Sequence, residues 1–102
     1  MQVKSITATE LHQALSENRI TLIDVREAAE YNASHIQGAT LIPLAQLLPE
    51  HVGNQPVVFQ CRSGGRSHAA CEVILKAKPQ ATVYNLTGGI IGWVEAGFPV
   101  TP

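Results

Sequence analysis

Seven consecutive residues, Cys61-Arg62-Ser63-Gly64-Gly65-Arg66-Ser67, are the part of this chain best equipped for chemistry. A cysteine attacks as its thiolate, and a free cysteine titrates near about 8.5, so at neutral pH most of it is the weaker thiol. Hydrogen-bond donors and positive charge lower that value. Gly64 and Gly65 can take backbone angles closed to other residues. Successive N–H groups can then converge into an anion nest. Arg62 and Arg66 bring charge to the loop, and the hydroxyls of Ser63 and Ser67 bring further donors. A helix beginning at Ser67 would aim its unpaired N–H groups at the same point. That terminus is worth ~0.3–1 kcal/mol, at most about one pKa unit. The nest and the arginines are expected to supply the rest.

Such a loop works only if rigid elements hold both of its ends. Val57-Val58-Phe59-Gln60 before it is apolar and β-branched, as a buried strand is. After it, Ala70, Val73, Ile74 and Ala77 fall at helical spacing within a helix expected over Ser67 to Lys78. The remaining segments alternate in the same way. Lys4-Ser5-Ile6 reads as a short strand. Thr7-Ala8-Thr9-Glu10 has capping-box spacing before Leu11, Ala14 and Leu15, with Asn18 as the stop. Ile20 to Val25 is nearly continuous in apolar residues, as a strand covered on both faces is. Glu27 to Tyr31 reads as a short helix and Ala39 to Ile42 as a strand closed by Pro43. Leu44 to Leu48 reads as one or two helical turns ended by Pro49. Thr82 to Leu86 is a last strand, Ile90 to Ala96 a last helix, and Gly97 its cap. Strands alternating with helices predict an α/β domain with a mainly parallel sheet. Ligands of such sheets sit at the carboxyl ends of the strands, where Cys61 falls.

Bulk properties narrow the field of functions. A length of 102 residues suits one domain, taken as residues 1–102. Apolar residues at 45% and charged residues at 15% describe a globular chain rather than a disordered one. A formal net charge of −1 gives no global attraction for nucleic acid or an acidic membrane. No segment approaches the roughly 18 apolar residues of a membrane span. The first residues lack the apolar run of a signal peptide. With only two cysteines, Cys61 and Cys71, no disulfide framework is expected. The expected setting is therefore the cytoplasm, with reduced thiols.

Three groups of residues together resemble the single-domain rhodanese, or thiosulfate sulfurtransferase-like, family. The first is Asp24-Val25-Arg26-Glu27, then Glu30-Tyr31, His35-Ile36 and Gly38-Ala39. The second is the Cys61–Ser67 loop. The third is Gly88-Gly89-Ile90 and Gly92-Trp93, followed by Ala96-Gly97-Phe98-Pro99-Val100. They occur in the family's order and span nearly the whole chain. Ser34, Leu41 and Gly92 depart from the pattern, none of them inside the loop. The resemblance implies a five-stranded, mainly parallel sheet with helices on both faces. It also implies sulfur transfer through a Cys61 persulfide, with a small anionic donor such as thiosulfate. The acceptor would be cyanide, a thiol or a thioredoxin-like protein. No metal or organic cofactor is implied. Asp24 could orient loop donors or Arg26; in the family both are read as structural, with Arg26 pairing with an acid such as Glu30. Arg66 would close the loop and add charge, and Arg62 would meet the incoming anion.

Two other classes compete with that expectation. A binding or regulatory module could keep the fold without the chemistry, although such modules usually lose the cysteine. Cysteine-dependent phosphatases place five residues between cysteine and arginine, where Cys61 and Arg66 enclose four. A phosphoryl group presents three equatorial oxygens and needs the wider ring, so the loop length favours a single sulfur atom. Cys71, inside the helix among apolar residues, reads as a buried filler. His35 and His68 are weak candidates to assist Cys61, and His12 and His51 show no sign of function. Trp93 reads as a core anchor for the last helix.

Overall fold

The computed structural model describes residues 2–102. Five strands form one sheet: β1 (Lys4–Ile6), β2 (Thr21–Asp24), β3 (Thr40–Leu41), β4 (Val57–Gln60) and β5 (Val83–Leu86). Four helices connect or follow them: α1 (Ala8–Ser16), α2 (Ala28–Ala33), α3 (Gly65–Ala77) and α4 (Gly89–Glu95). All pairings are parallel, in the order β1-β5-β4-β2-β3. Among the described residues no helix is long and apolar enough to cross a membrane.

β4 lies at the centre because its sequence can be buried on both sides. All four of its residues are buried. Alternation along the strand feeds two cores. On one face, Val57, Phe59 and Cys61 pack with Ile23 and Val25 against Ala70, Cys71, Ile74 and Leu75 of α3. On the other, Val58 packs with Leu22, Ile6 and Leu86 against Leu11 of α1 and Ile90 and Trp93 of α4. Each fully buried side chain of this size contributes about 1.5–3 kcal/mol.

The topology places the loop. From β2 the chain moves outward to β3, and from β4 it moves in the opposite direction to β5. The neighbouring pair β2 and β4 is thus the switch point of the sheet, where its carboxyl end opens a crevice. Register brings Asp24 beside Gln60, and Phe59 beside Asn85. Asp24 and Gln60 therefore end two adjacent strands, Asn85 stands one residue before the end of a third, and Cys61 follows Gln60 directly.

Capping chemistry works as expected at α1. Thr7 Oγ1 accepts from the Glu10 N–H at 3.1 Å, and Glu10 accepts from the Thr7 N–H at 2.9 Å. Asn18 takes the left-handed conformation beyond the end of that helix. Gly97 does the same after α4.

Two expectations need correction. Pro49 does not end the segment after β3; it opens a second 3-10 turn, Pro49–His51, after a first at Leu44–Gln46. Proline suits the first position of a turn, where its missing N–H costs nothing. On α3, Val73 is 43% exposed and Ala77 is also exposed. The buried stripe is Ser67, Ala70, Cys71, Ile74 and Leu75. The helix begins at Gly65, and Ser67 is turned inward to Cys61.

Candidate active site

Cys61 sits one residue beyond β4 and is 1% exposed. Gly64 takes φ +122°, a conformation that favours glycine, and turns its N–H to the Cys61 sulfur at 3.1 Å. The Ser67 N–H reaches the same sulfur at 3.4 Å, and Ser67 Oγ lies 3.3 Å from it. Gly65 begins α3 with an ordinary helical backbone, so only Gly64 of the glycine pair uses its freedom. Burial pushes the Cys61 thiol up, but Ser67 Oγ and the N–H groups of Ser67, Gly64 and Ser63 outweigh it and bring the thiol below its ordinary value. Hydrogen bonds do most of the lowering, and the Arg66 charge, which is coupled to Cys61, works in the same direction.

Ser67 is shared among several partners. Its Oγ lies 2.5 Å from Asn85 Oδ1 and 3.2 Å from the Gly64 carbonyl, besides the sulfur. A hydroxyl has one hydrogen. With Cys61 as thiol, the S–H can donate to Ser67 Oγ while Ser67 donates to Asn85. With Cys61 as thiolate, the Ser67 hydrogen can turn to the sulfur. Asn85 Nδ2 meanwhile donates to the Gly64 carbonyl at 3.2 Å and holds the turn. Asn85 was missed by sequence reasoning. Its one signal was a polar residue near the end of an otherwise apolar strand.

The arginines divide their work differently from the expectation. Arg66 Nη1 and Nη2 donate to Glu30 Oε1 and Oε2 at 2.7 and 2.9 Å. The Arg66 guanidinium, helped by the Glu27 N–H, holds the Glu30 carboxyl down at about 2. Arg66 thus pins α3 to α2. Arg26 does not pair with Glu30. Its Nε and Nη2 donate to Asp24 at 2.8–3.1 Å, and Nη2 also reaches the Ser34 carbonyl at 2.8 Å. Asp24 and Arg26 are both buried, two residues apart at the end of β2, and the chain turns back to let them meet. Arg62 is exposed and has no acidic partner among the described residues. Ser63 is exposed beside it.

The outer side of the loop is fixed by α4. The N–H groups of Ile90 and Ile91 donate to the carbonyls of Cys61 and Arg62 at 2.9 and 3.2 Å. Gln60 Nε2 adds a bond to the Cys61 carbonyl at 3.0 Å. Gly89 comes so close that a Cβ there would lie 2.4 Å from the Arg62 oxygen and 2.5 Å from the Cys61 oxygen. The Gly88-Gly89 pair is therefore part of the loop's support.

None of the histidines contacts Cys61 among the described residues. His35 stacks on Tyr31 with ring centroids 3.8 Å apart, and its Nδ1 meets the Tyr31 carbonyl at 3.0 Å. His68 faces Glu72 at 3.6 Å. His12 stacks on Phe98, and His51 accepts from the Leu48 N–H. Cys71 is buried, and desolvation pushes its thiol up to about 12. Trp93 is buried and donates from Nε1 to the Pro99 carbonyl at 2.8 Å.

The arrangement is a sulfur held by converging donors at the switch point of a parallel sheet. Comparison with known proteins agrees with that architecture. The rhodanese-like domain profile matches residues 7–96. A sulfurtransferase of Allochromatium vinosum is 35% identical, over 96% of this chain and 94% of its own. A rhodanese-related protein of Thermoplasma volcanium superposes with a TM-score of 0.84 at 29% identity, covering 96% and 97% of the two chains. A thiosulfate sulfurtransferase of Pseudomonas aeruginosa gives a TM-score of 0.88 at 26% identity over 97% of this chain, which spans 20% of that longer one. From motif, sheet order and these likenesses together, the chain belongs to the rhodanese-like domain family.

Proposed function

We propose that the protein is a sulfurtransferase that carries a sulfane sulfur on Cys61, taking it from a donor such as thiosulfate and passing it to a thiol or cyanide. The coarser part of this reading, a sulfurtransferase-type role, rests on the family and on relatives that carry that name. The finer part rests on the loop. Its carrying observation is the Cys61 sulfur set among the Gly64 N–H, the Ser67 N–H and the Ser67 hydroxyl.

In the first half-reaction the Cys61 thiolate attacks the outer sulfur of the donor. A bond forms between Sγ and that sulfur, and the donor's own bond to it breaks with the electron pair leaving as sulfite. In the second, an acceptor nucleophile attacks the outer sulfur of the Cys61 persulfide and the pair returns to Sγ. This is covalent catalysis in two steps, with ping-pong kinetics expected. The converging N–H groups stabilise anionic sulfur at both stages without reorganising. Arg62, exposed at the mouth, draws in the anionic donor.

Phosphoryl transfer fits less well. It would call on the loop arginine to bind phosphoryl oxygens. Here both Nη atoms of Arg66 are already engaged by Glu30.

The test is mass spectrometry of the intact protein after incubation with thiosulfate. A gain of about 32 Da, the mass of one persulfide sulfur, is expected on the wild type and not on Cys61→Ala. No adduct on either would sink the reading.

A further inference from the structure

The loop alone suffices for a small inorganic anion, yet a groove of about 430 Å³ continues away from it. That volume falls in the range of roughly 300–1,000 Å³ that accommodates organic ligands. Its walls are Ala33 and Ser34 of the α2 side and Ile90, Ile91 and Val94 of α4, and Arg62 stands at the loop end. The α4 wall is unusual for this molecule. Ile91 and Val94, one helical turn apart, are 38% and 52% exposed and rank among its few exposed large apolar residues.

Charge along the groove is also uneven. Arg26 and Glu30 border it, but each is committed, to Asp24 and to Arg66. Arg62 and Glu95 border it with no salt-bridge partner among the described residues. The groove therefore offers a free cation at Arg62, the residue that follows Cys61, an apolar wall at Ile91 and Val94, and a free anion at Glu95. Thiosulfate and cyanide have nothing to place on Ile91 and Val94. A protein segment does.

We propose that this groove docks the sulfur acceptor, and that the acceptor is a protein thiol whose cysteine is flanked by an apolar side chain and a carboxylate. The proposal rests on the Cys61 persulfide described above. The apolar side chain lies on Ile91 and Val94, and the carboxylate pairs with Arg62, the residue next to Cys61. The acceptor thiolate, its proton already lost to solvent, then attacks the outer sulfur of the persulfide. A bond forms between the acceptor sulfur and the outer sulfur. The bond from the outer sulfur to Sγ breaks, and its electron pair restores the Cys61 thiolate. The acceptor leaves as a persulfide, and no external oxidant or reductant takes part.

The experiment uses wild-type protein loaded with thiosulfate, freed of donor and checked for the added sulfur by mass. Single-turnover transfer is then timed to three blocked pentapeptides and to 2-mercaptoethanol, with each rate expressed per thiolate. The first peptide has cysteine between leucine and glutamate. The second replaces leucine with serine, and the third replaces glutamate with lysine. The first should react about tenfold faster than the second, the scale of burying one apolar side chain, and about threefold faster than the third, the scale of one exposed ion pair. Val94→Asp should erase the preference for leucine while Arg62→Ala erases the preference for glutamate. Equal rates for the three peptides, or a preference that survives both substitutions, would overturn the docking proposal. Failure to load any sulfur would instead overturn the reading of Cys61, so the two failures are separable.

Discussion

Cys61 and Cys71 stand ten positions apart, are 1% and 0% exposed, and pack into the same apolar cluster. One thiol is brought below its ordinary value and the other is pushed up to about 12. Burial opposes ionisation at both. What separates them most is the number of donors, several at Cys61 against its own backbone N–H at Cys71, where the Glu72 charge also opposes ionisation. Around Cys61 the chain turns at Gly64 and starts a helix, so N–H groups are free to face the sulfur. Around Cys71 the helix is in full course and its N–H groups are spent on carbonyls one turn back. In this chain the beginning of the helix lowers a thiol, and its interior leaves the same residue type without that help.

The sharpest break of this pair is exchange of the residues themselves. Cys61→Ala is expected to reduce sulfur transfer to the uncatalysed background while leaving the fold intact. Cys71→Ala should keep the activity and cost about 1 kcal/mol of stability, as a small core deletion does. Activity assays paired with thermal melts distinguish the two outcomes.

Next in size is Gly89→Ala. A side chain there meets the carbonyls of Cys61 and Arg62 and also requires an unfavourable positive φ. The loop must shift, at a cost of about 2 kcal/mol or more. Both melting temperature and transfer rate should fall, whereas Gly65→Ala, with open space around its Cβ position, should leave both nearly unchanged.

Ser67→Ala sharpens the comparison at Cys61 alone. It removes the hydroxyl but not the N–H of residue 67, so the thiol should titrate higher. In wild type, the rate of iodoacetamide alkylation against pH should inflect below the free-cysteine value of about 8.5. In Ser67→Ala the inflection should move upward. An unchanged inflection would mean that the backbone donors act alone.

The smallest effect concerns Glu30. Its carboxyl lies at about 2 in the folded chain against an ordinary 4.5. A depressed carboxyl contributes stability above the unfolded value, and that contribution is lost as pH falls from about 4.5 toward 2. Glu30 and Arg66 are 31% and 37% exposed, so solvent screens the pair and its worth is about 1 kcal/mol or less. Glu30→Gln should therefore flatten the acid limb of stability against pH slightly, as read from urea midpoints.

Much of this site was legible because its signals are local. The run from Val57 to Ser67 contains its own strand end, turn glycine and helix start, and parallel order followed from the alternation of elements. The parts that were not legible are contacts made across the fold. Nothing near Arg66 in sequence indicates that Glu30, on another helix, takes its charge. Nothing near Cys61 indicates that Asn85 holds the turn from a neighbouring strand. Arg26 pairs instead with Asp24, a local partner two positions back, while Glu30 is held from another helix by Arg66. The face of α3 was misjudged for a related reason. Its buried stripe, Ser67, Ala70, Cys71, Ile74 and Leu75, is set by tertiary packing against the sheet, and Val73 lies outside it.

The two bonds from α4 to the loop make a built-in reporter. Because the Ile90 and Ile91 amides are spent on the Cys61 and Arg62 carbonyls, they exchange with solvent only when helix and loop part. Deuterium uptake at two backbone positions on a different helix thus measures how often the loop around the sulfur comes undone. It does so with no probe attached to the cysteine, in resting and sulfur-loaded protein alike.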